Sequence, residues 1–318
     1  MTAMKGFVEA ERDNNGLLGV HSVDHFGLMV PDLKDAEHFY SASGIEPVGV
    51  GNHLELRTTS SDHTWGKITE GQRKRISYLS FGAYAEDIPR FREHLKKLNV
   101  EMIAPPAGVD SDEIWFLDHD GRPVEIKAAA KVSSDGKQPV HIDAEGPRGV
   151  ALTPPAKVKP LRLAHLILFT ADIDRAIDFY TRVLGLRLTD RCGQTICFLH
   201  GVHGSDHHII GFGHSDGPGL HHTSWEVDGV DAIGLGAKQM MAKGYCEGWG
   251  LGRHGAGSNY FHYVRDPWKS LLELTCYADY IPKGSDWPAC DLDLAKAVMQ
   301  WGPAPPPDFI RNYELAST

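Results

Sequence analysis

The sequence contains no long hydrophobic run. Nothing in it approaches about 18 consecutive apolar residues, so no segment is built to cross a membrane as a helix. It also lacks an excess of positive charge. Lysine and arginine number 32 against 42 aspartates and glutamates, giving a formal charge of −10 and a pI near 6.0. A nucleic-acid binder would normally carry the opposite balance on at least one face. Cysteine is scarce, with five in 318 residues, an odd number, and no CxxC pair. That count suggests reduced thiols in the cytoplasm. The first sixteen residues, MTAMKGFVEAERDNNG, are polar and acidic without an apolar core, so no secretory signal is expected. Histidine, by contrast, is plentiful, with 18 in all and a cluster between positions 200 and 222.

A chain of this length is long enough for two medium domains with substantial cores. An internal repeat points the same way. The stretch VDHFGLMVPDLKDAEHFYSASGI returns as LAHLILFTADIDRAIDFYTRVLGL, so that His25 matches His165, Phe39 matches Phe179 and Tyr40 matches Tyr180 at a constant offset of 140 (165 − 25). Further on, DHDGRPVEIK aligns with DPWKSLLELT, setting Glu125 against Glu273, and ISYLSFGA aligns with LHHTSWEV, setting Tyr78 against His222. The N-terminal half thus keeps a histidine and a glutamate but has a tyrosine at the third position. It reads as a structural duplicate without a metal.

Periodicity predicts helices over 33–42, 87–97, 173–184 and 229–243. Strand-like runs lie between them at 74–82, 113–117, 195–200, 207–213, 219–227 and 257–265. The pattern is that of an α+β protein with two tandem domains. Each domain is a pair of βαβββ modules forming an open barrel with helices outside. The expected division is an N-terminal arm at 1–20, a non-catalytic domain at 21–130, a Pro- and Gly-rich linker at 131–160, a metal-binding domain at 161–282, and a tail at 283–318 packing on it.

Chemistry concentrates between Gly252 and Glu273, in GRHGAGSNYFHYVRDPWKSLLE. Glu273 lies within the apolar strand LLEL, where a carboxylate is costly unless paired or bound to a metal. Its expected companions are His165 in LRLAHLILFT and His222 in LHHTSWEV. Two imidazoles and one carboxylate from three strands form the facial set that leaves open positions on non-haem Fe(II). Alternation selects His222 over His221: His222, Ser224 and Glu226 share the polar face, and His221, Thr223 and Trp225 the more apolar one. His221 is therefore read as structural. The stretch GLGRHG matches GxGxxG formally, but no helix opens after it, so it is read as a Gly-rich loop carrying His254 and not as a phosphate cradle.

The order Gly252-Arg253-His254, Tyr263, Asp266-Pro267, Glu273 resembles the signature of the type I extradiol ring-cleaving (catechol 2,3-dioxygenase-like) dioxygenases of the vicinal oxygen chelate superfamily. The repeat extends that resemblance over nearly the whole chain. Two positions depart from the pattern, His262 in place of an apolar residue and Lys269 in place of Gly or Pro; neither is a ligand position. The resemblance implies an enzyme that opens a catecholic ring beside its hydroxyls with O₂ during aromatic degradation, using Fe(II) or, second in order, Mn(II). It implies His165, His222 and Glu273 as metal ligands, His207 as acid–base, His254 as donor to a substrate oxygen, and Tyr263 beside the ionised phenolate. His208, one residue on, is the alternative acid–base. A homo-oligomer is the family habit. Two rival readings share the fold: a glyoxalase-like metal isomerase or lyase, and a non-enzymatic ligand-binding protein. The first usually carries four protein ligands, often two of them glutamates, and the second needs no buried His-His-Glu set.

Overall fold

The computed structural model describes residues 16–134, 136–137 and 156–315. The expected linker lies largely outside these residues, as does the arm up to position 15. The N-terminal half runs β1 (Ser22–Val30), α1 (Leu33–Ser43), β2 (Glu46–Val50), β3 (His53–Thr58), β4 (Ser61–Glu70), β5 (Arg75–Ala83), α2 (Ile88–Lys97), β6 (Ile114–Leu117) and β7 (Pro123–Ala128). The C-terminal half continues with β8 (Arg162–Thr170), α3 (Ile173–Leu184), β9 (Arg187–Cys192), β10 (Ile196–His200), β11 (Ser205–Asp206), β12 (Ile210–His214), β13 (Gly219–Glu226), α4 (Val230–Met241), β14 (Gly248–Arg253), β15 (Tyr260–Arg265) and β16 (Leu271–Cys276). That half closes with β17 (Tyr280–Ile281), and the tail adds β18 (Cys290–Asp291) and α5 (Leu294–Val298).

The repeat in the sequence is a repeat in the sheets. One sheet is ordered β2-β3-β4-β1-β5-β7-β6, and the other, read from its β18 edge, is β18-β9-β10-β12-β8-β13-β16-β15-β14. In both, the first strands of the two modules pair antiparallel at the centre, β1 with β5 and β8 with β13. The last strand of the second module then lies parallel to its first, β7 on β5 and β16 on β13. Register carries the alignment to single residues. Tyr78 sits opposite Gly27 and His222 opposite Ile167, again 140 apart on the partner strands, while Glu125 faces Ser80 as Glu273 faces Ser224.

The helix ends follow from capping. Asp32 accepts hydrogen bonds from the amides of Lys34 and Asp35, and Asp172 from that of Arg175. Gly44 and Gly185 close the two helices in the left-handed region, at φ 93° and 71°. The faces turned inward, Ala36, Phe39 and Tyr40 in α1 and Ala176 and Tyr180 in α3, feed one continuous apolar core spanning both halves.

Three local expectations change. The second N-terminal module has only two strands after its helix, with an isolated bridge between Met102 and Phe116 where a third would run. The Gly-rich stretch is not all loop: residues 248–253 form β14, antiparallel to β15, because the backbone ladder outweighs the weak strand preference of glycine. The strand expected over 207–213 begins at Ile210, leaving His207 and His208 in a bend between β11 and β12. No helix among the described residues is long and apolar enough to cross a membrane.

Candidate active site

Three adjacent strands of the C-terminal sheet, β8, β13 and β16, bring His165, His222 and Glu273 to one face. The donor atoms form a tight triangle. His165 Nε2 lies 3.0 Å and His222 Nε2 3.5 Å from Glu273 Oε2, and the two Nε2 atoms are 3.2 Å apart. Donors held about 2.1 Å from one ion at right angles would stand about 3 Å from each other, so the spacing fits a shared cation. Satisfaction points the same way. Glu273 is fully buried, yet its Oε2 accepts no hydrogen bond, and the Ser224 hydroxyl beside it is also unpaired. A buried carboxylate oxygen left in this condition is costly unless a cation completes it.

The duplicate site in the N-terminal half shows the contrast. There Ser80 and Ser111 both donate to the Glu125 carboxylate, and His25 accepts from the Tyr78 hydroxyl at 3.1 Å while donating to Asp24 at 2.7 Å. Gly27 makes this possible, since a Cβ there would stand 2.2 Å from the Tyr78 ring. Tyr78 thus fills the space and satisfies His25, and the two serines satisfy Glu125. Among the described residues, the only three-donor cluster able to hold a metal is the C-terminal one.

Electrostatics suit cation binding. Burial opposes the charge on Glu273, but His165 and His222 beside it hold its carboxyl well below the usual range. Burial also keeps His222 neutral, its pKa well below the ordinary value despite the attraction of Glu273. The ligand set therefore consists of an anion and an imidazole with a free lone pair. Asn259, which no motif announced, donates to Thr275 at 2.8 Å and reaches Glu273 Oε1 at 3.4 Å, steadying the carboxylate.

His254 and Tyr263 also arrive at the site. The Tyr263 hydroxyl and His254 Nε2 are 2.9 Å apart, and His254 Nε2 is 3.6 Å from Glu273 Oε1. Burial, reinforced by Glu273, raises the Tyr263 pKa far above normal, so its phenol is protonated and can donate. The two sequence candidates for acid–base part company. His207 is turned away, with Nε2 2.9 Å from Asp190 and its ring near Trp287. His208 packs against His165, ring centroids 4.1 Å apart, and its Nδ1 is 3.1 Å from Nδ1 of His207. Burial first, then the neighbouring His165 and His207, hold the His208 pKa well below its ordinary value.

Of the aromatic residues that could wall a substrate, Trp249 lies near His254 and parallel to Tyr263, at 5.9 and 5.6 Å. Phe212 belongs to the core against Tyr180, and Trp301 is exposed at 45 %.

Comparison with known proteins agrees with this geometry. Residues 162–274 match the family model of the glyoxalase, bleomycin resistance protein and dioxygenase superfamily. Metapyrocatechase 2 of Cupriavidus necator is 42 % identical over 93 % of each chain. An extradiol ring-cleaving dioxygenase from B. fuscum superposes with a TM-score of 0.74 at 18 % identity, over 95 % of this chain and 84 % of that one. A Mn(II)-bound glyoxalase from Novosphingobium aromaticivorans shares the fold with a TM-score of 0.75 at 23 % identity, over 93 % and 95 %. The metapyrocatechase match, spanning both halves of the chain at that identity, decides between the branches of the superfamily: the chain belongs to the extradiol ring-cleaving dioxygenases of the vicinal oxygen chelate superfamily.

Proposed function

We propose that this dioxygenase opens the ring of a catechol at a single Fe(II) held by His165, His222 and Glu273. The observation that carries the reading is the buried triangle of donors, in which a carboxylate oxygen has no hydrogen bond and faces two imidazole nitrogens. When bound, the ion supplies a Lewis-acidic, redox-active centre at which a catecholate and O₂ can be held side by side. Mn(II) is the second choice, because the same donors accept it.

The surrounding residues take the remaining tasks. Tyr263, whose hydroxyl proton rests on His254 Nε2 in the free protein, can turn that proton to a phenolate oxygen beside the ligand Glu273 when substrate is bound. His254 holds Tyr263 in place and is the second group able to contact a substrate oxygen. His208, stacked on the ligand His165, takes the acid–base role in place of His207: it accepts a phenolic proton and later returns it. His207, fixed to Asp190, supports His208 from behind. We assign residues 161–282 to the catalytic domain, 21–130 to the metal-free duplicate and 283–318 to the tail, and expect a cytoplasmic homo-oligomer.

The glyoxalase-like alternative has one carboxylate too few among the three donors, and it leaves Tyr263 and His254 without tasks. Aerobic incubation of Fe(II)-loaded protein with catechol, a dihydroxybiphenyl and a carboxylated catechol tests the proposal. A yellow ring-fission product with O₂ uptake on at least one substrate is expected. No O₂ uptake on any of them, with the iron in place, would count against it.

A further inference from the structure

The double histidine at 221–222 has a use that strand alternation does not reveal. His222 turns Nε2 toward Glu273 and His165, so as a ligand it carries its proton on Nδ1. That proton has one neighbour, Nδ1 of His221 at 2.6 Å. The bond therefore runs from His222 to His221, and His221 must accept it. Its own proton is then on Nε2, 2.9 Å from the carbonyl oxygen of Phe309, an atom that can only accept. Every proton along this line is placed by the group behind it, starting from a backbone carbonyl in the C-terminal tail.

The tail is firmly seated on either side of that carbonyl. The Arg265 guanidinium holds Asp308 at 3.0 Å, and the Asn312 amide donates to the Gly217 carbonyl at 3.0 Å. Earlier in the tail a second carbonyl does similar work. Val298 accepts from Nδ1 of His254 at 2.5 Å, which leaves His254 Nε2 to accept from Tyr263. Gly255 permits this approach, since a Cβ there would lie 2.0 Å from the Lys296 carbonyl. Two histidines of one site thus take their tautomers from carbonyls of the same segment.

We propose that His221 is a positioning residue that ties the metal ligand His222 to the C-terminal tail, so that the Phe309 carbonyl orients the ligand and fixes its tautomer. The proposal rests on His222 being a ligand. A partner of this kind typically changes metal affinity about 10–100-fold.

The test is the rate at which Fe(II)-loaded protein gives up iron to the chelator ferrozine without oxygen. It compares wild type, His221→Phe, His221→Asn, a chain ending at Gly302, and that truncation combined with His221→Phe. Phenylalanine keeps the ring but cannot accept, whereas the asparagine oxygen overlays the lost Nδ1. Release about 10–100-fold faster is expected for His221→Phe and for the truncation, and for His221→Asn a rate like that of the truncation, because asparagine restores the acceptor for His222 but cannot reach the Phe309 carbonyl. The combined variant should match His221→Phe, because both changes cut one line. Wild-type release from His221→Phe would reduce His221 to a packing residue and overturn the proposal. So would effects of truncation and substitution that multiply. A wild-type protein that binds no iron would overturn this inference together with the metal site; iron bound equally well by every variant would overturn this inference alone.

Discussion

Replacing His208 by phenylalanine separates the two adjacent histidines most sharply. The ring of His208 is packed between His165 and Phe198, at 4.1 and 4.8 Å, and phenylalanine can keep that packing while losing the ability to move a proton. Loss of a proton-transfer group lowers turnover typically about 10²–10⁴-fold. At 1.36 kcal/mol per tenfold, that is roughly 3–5 kcal/mol on the barrier. His207→Phe instead strands the Asp190 carboxylate, which now holds the Nε2 proton, and should cost about 1–3 kcal/mol of stability. The assay is steady-state kcat with catechol at equal iron content, beside a urea midpoint for each variant. His208→Phe should turn over at least about a hundredfold more slowly with a small stability change. His207→Phe should keep kcat within about threefold and unfold earlier. The reverse ranking would return the acid–base role to His207. Mild effects from both would move it to His254.

Other consequences follow from the site and its duplicate. Glu273→Gln should weaken Fe(II) binding by more than about a hundredfold, beyond a supporting-residue loss, as measured by chelator competition; near-normal affinity would remove Glu273 from the ligand set. Metal analysis should find one ion per chain, unchanged in His25→Ala, because Tyr78 completes the N-terminal site; two tightly held ions would contradict this. Asp24 is buried, which opposes its charge, yet the His25 hydrogen bond brings its pKa from 3.8 down to about 2. A carboxyl lowered in the folded state stabilises above its unfolded pKa and loses that contribution as pH falls from about 4 toward 2. The shift is worth about 2 kcal/mol. Asp24→Asn should therefore be about 2 kcal/mol less stable at pH 7, with the gap shrinking below pH 4; a gap independent of pH would refute the linkage.

Much of the architecture was legible because it was written twice. The offset of 140 survived as strand register, and Asp32 and Asp172, the same 140 apart, cap the two corresponding helices. The cluster that could hold a metal was legible for a different reason: His165 and Glu273 interrupt apolar strands, where polar groups stand out. The unread parts depend on partners distant in sequence. Nothing near His207 or His208 says which faces the ligands, because neither lies in a strand and alternation does not apply there. The tie between His221 and residue 309 spans 88 positions and ends on a backbone atom, which has no sequence signature. Asn259 was hidden similarly, since its contacts with Glu273 and Thr275 arise only once β15 and β16 pair.

The central claim is that this site places both atoms of O₂ into a ring it opens. Turnover of the Fe(II)-loaded protein with its best catechol under ¹⁸O₂, followed by mass spectrometry of the product, tests this directly. The account predicts a ring-opened product carrying two ¹⁸O atoms, apart from any lost by exchange with water, and one O₂ consumed per catechol. A product with one label, or an unlabelled isomer formed without O₂ uptake, would contradict it.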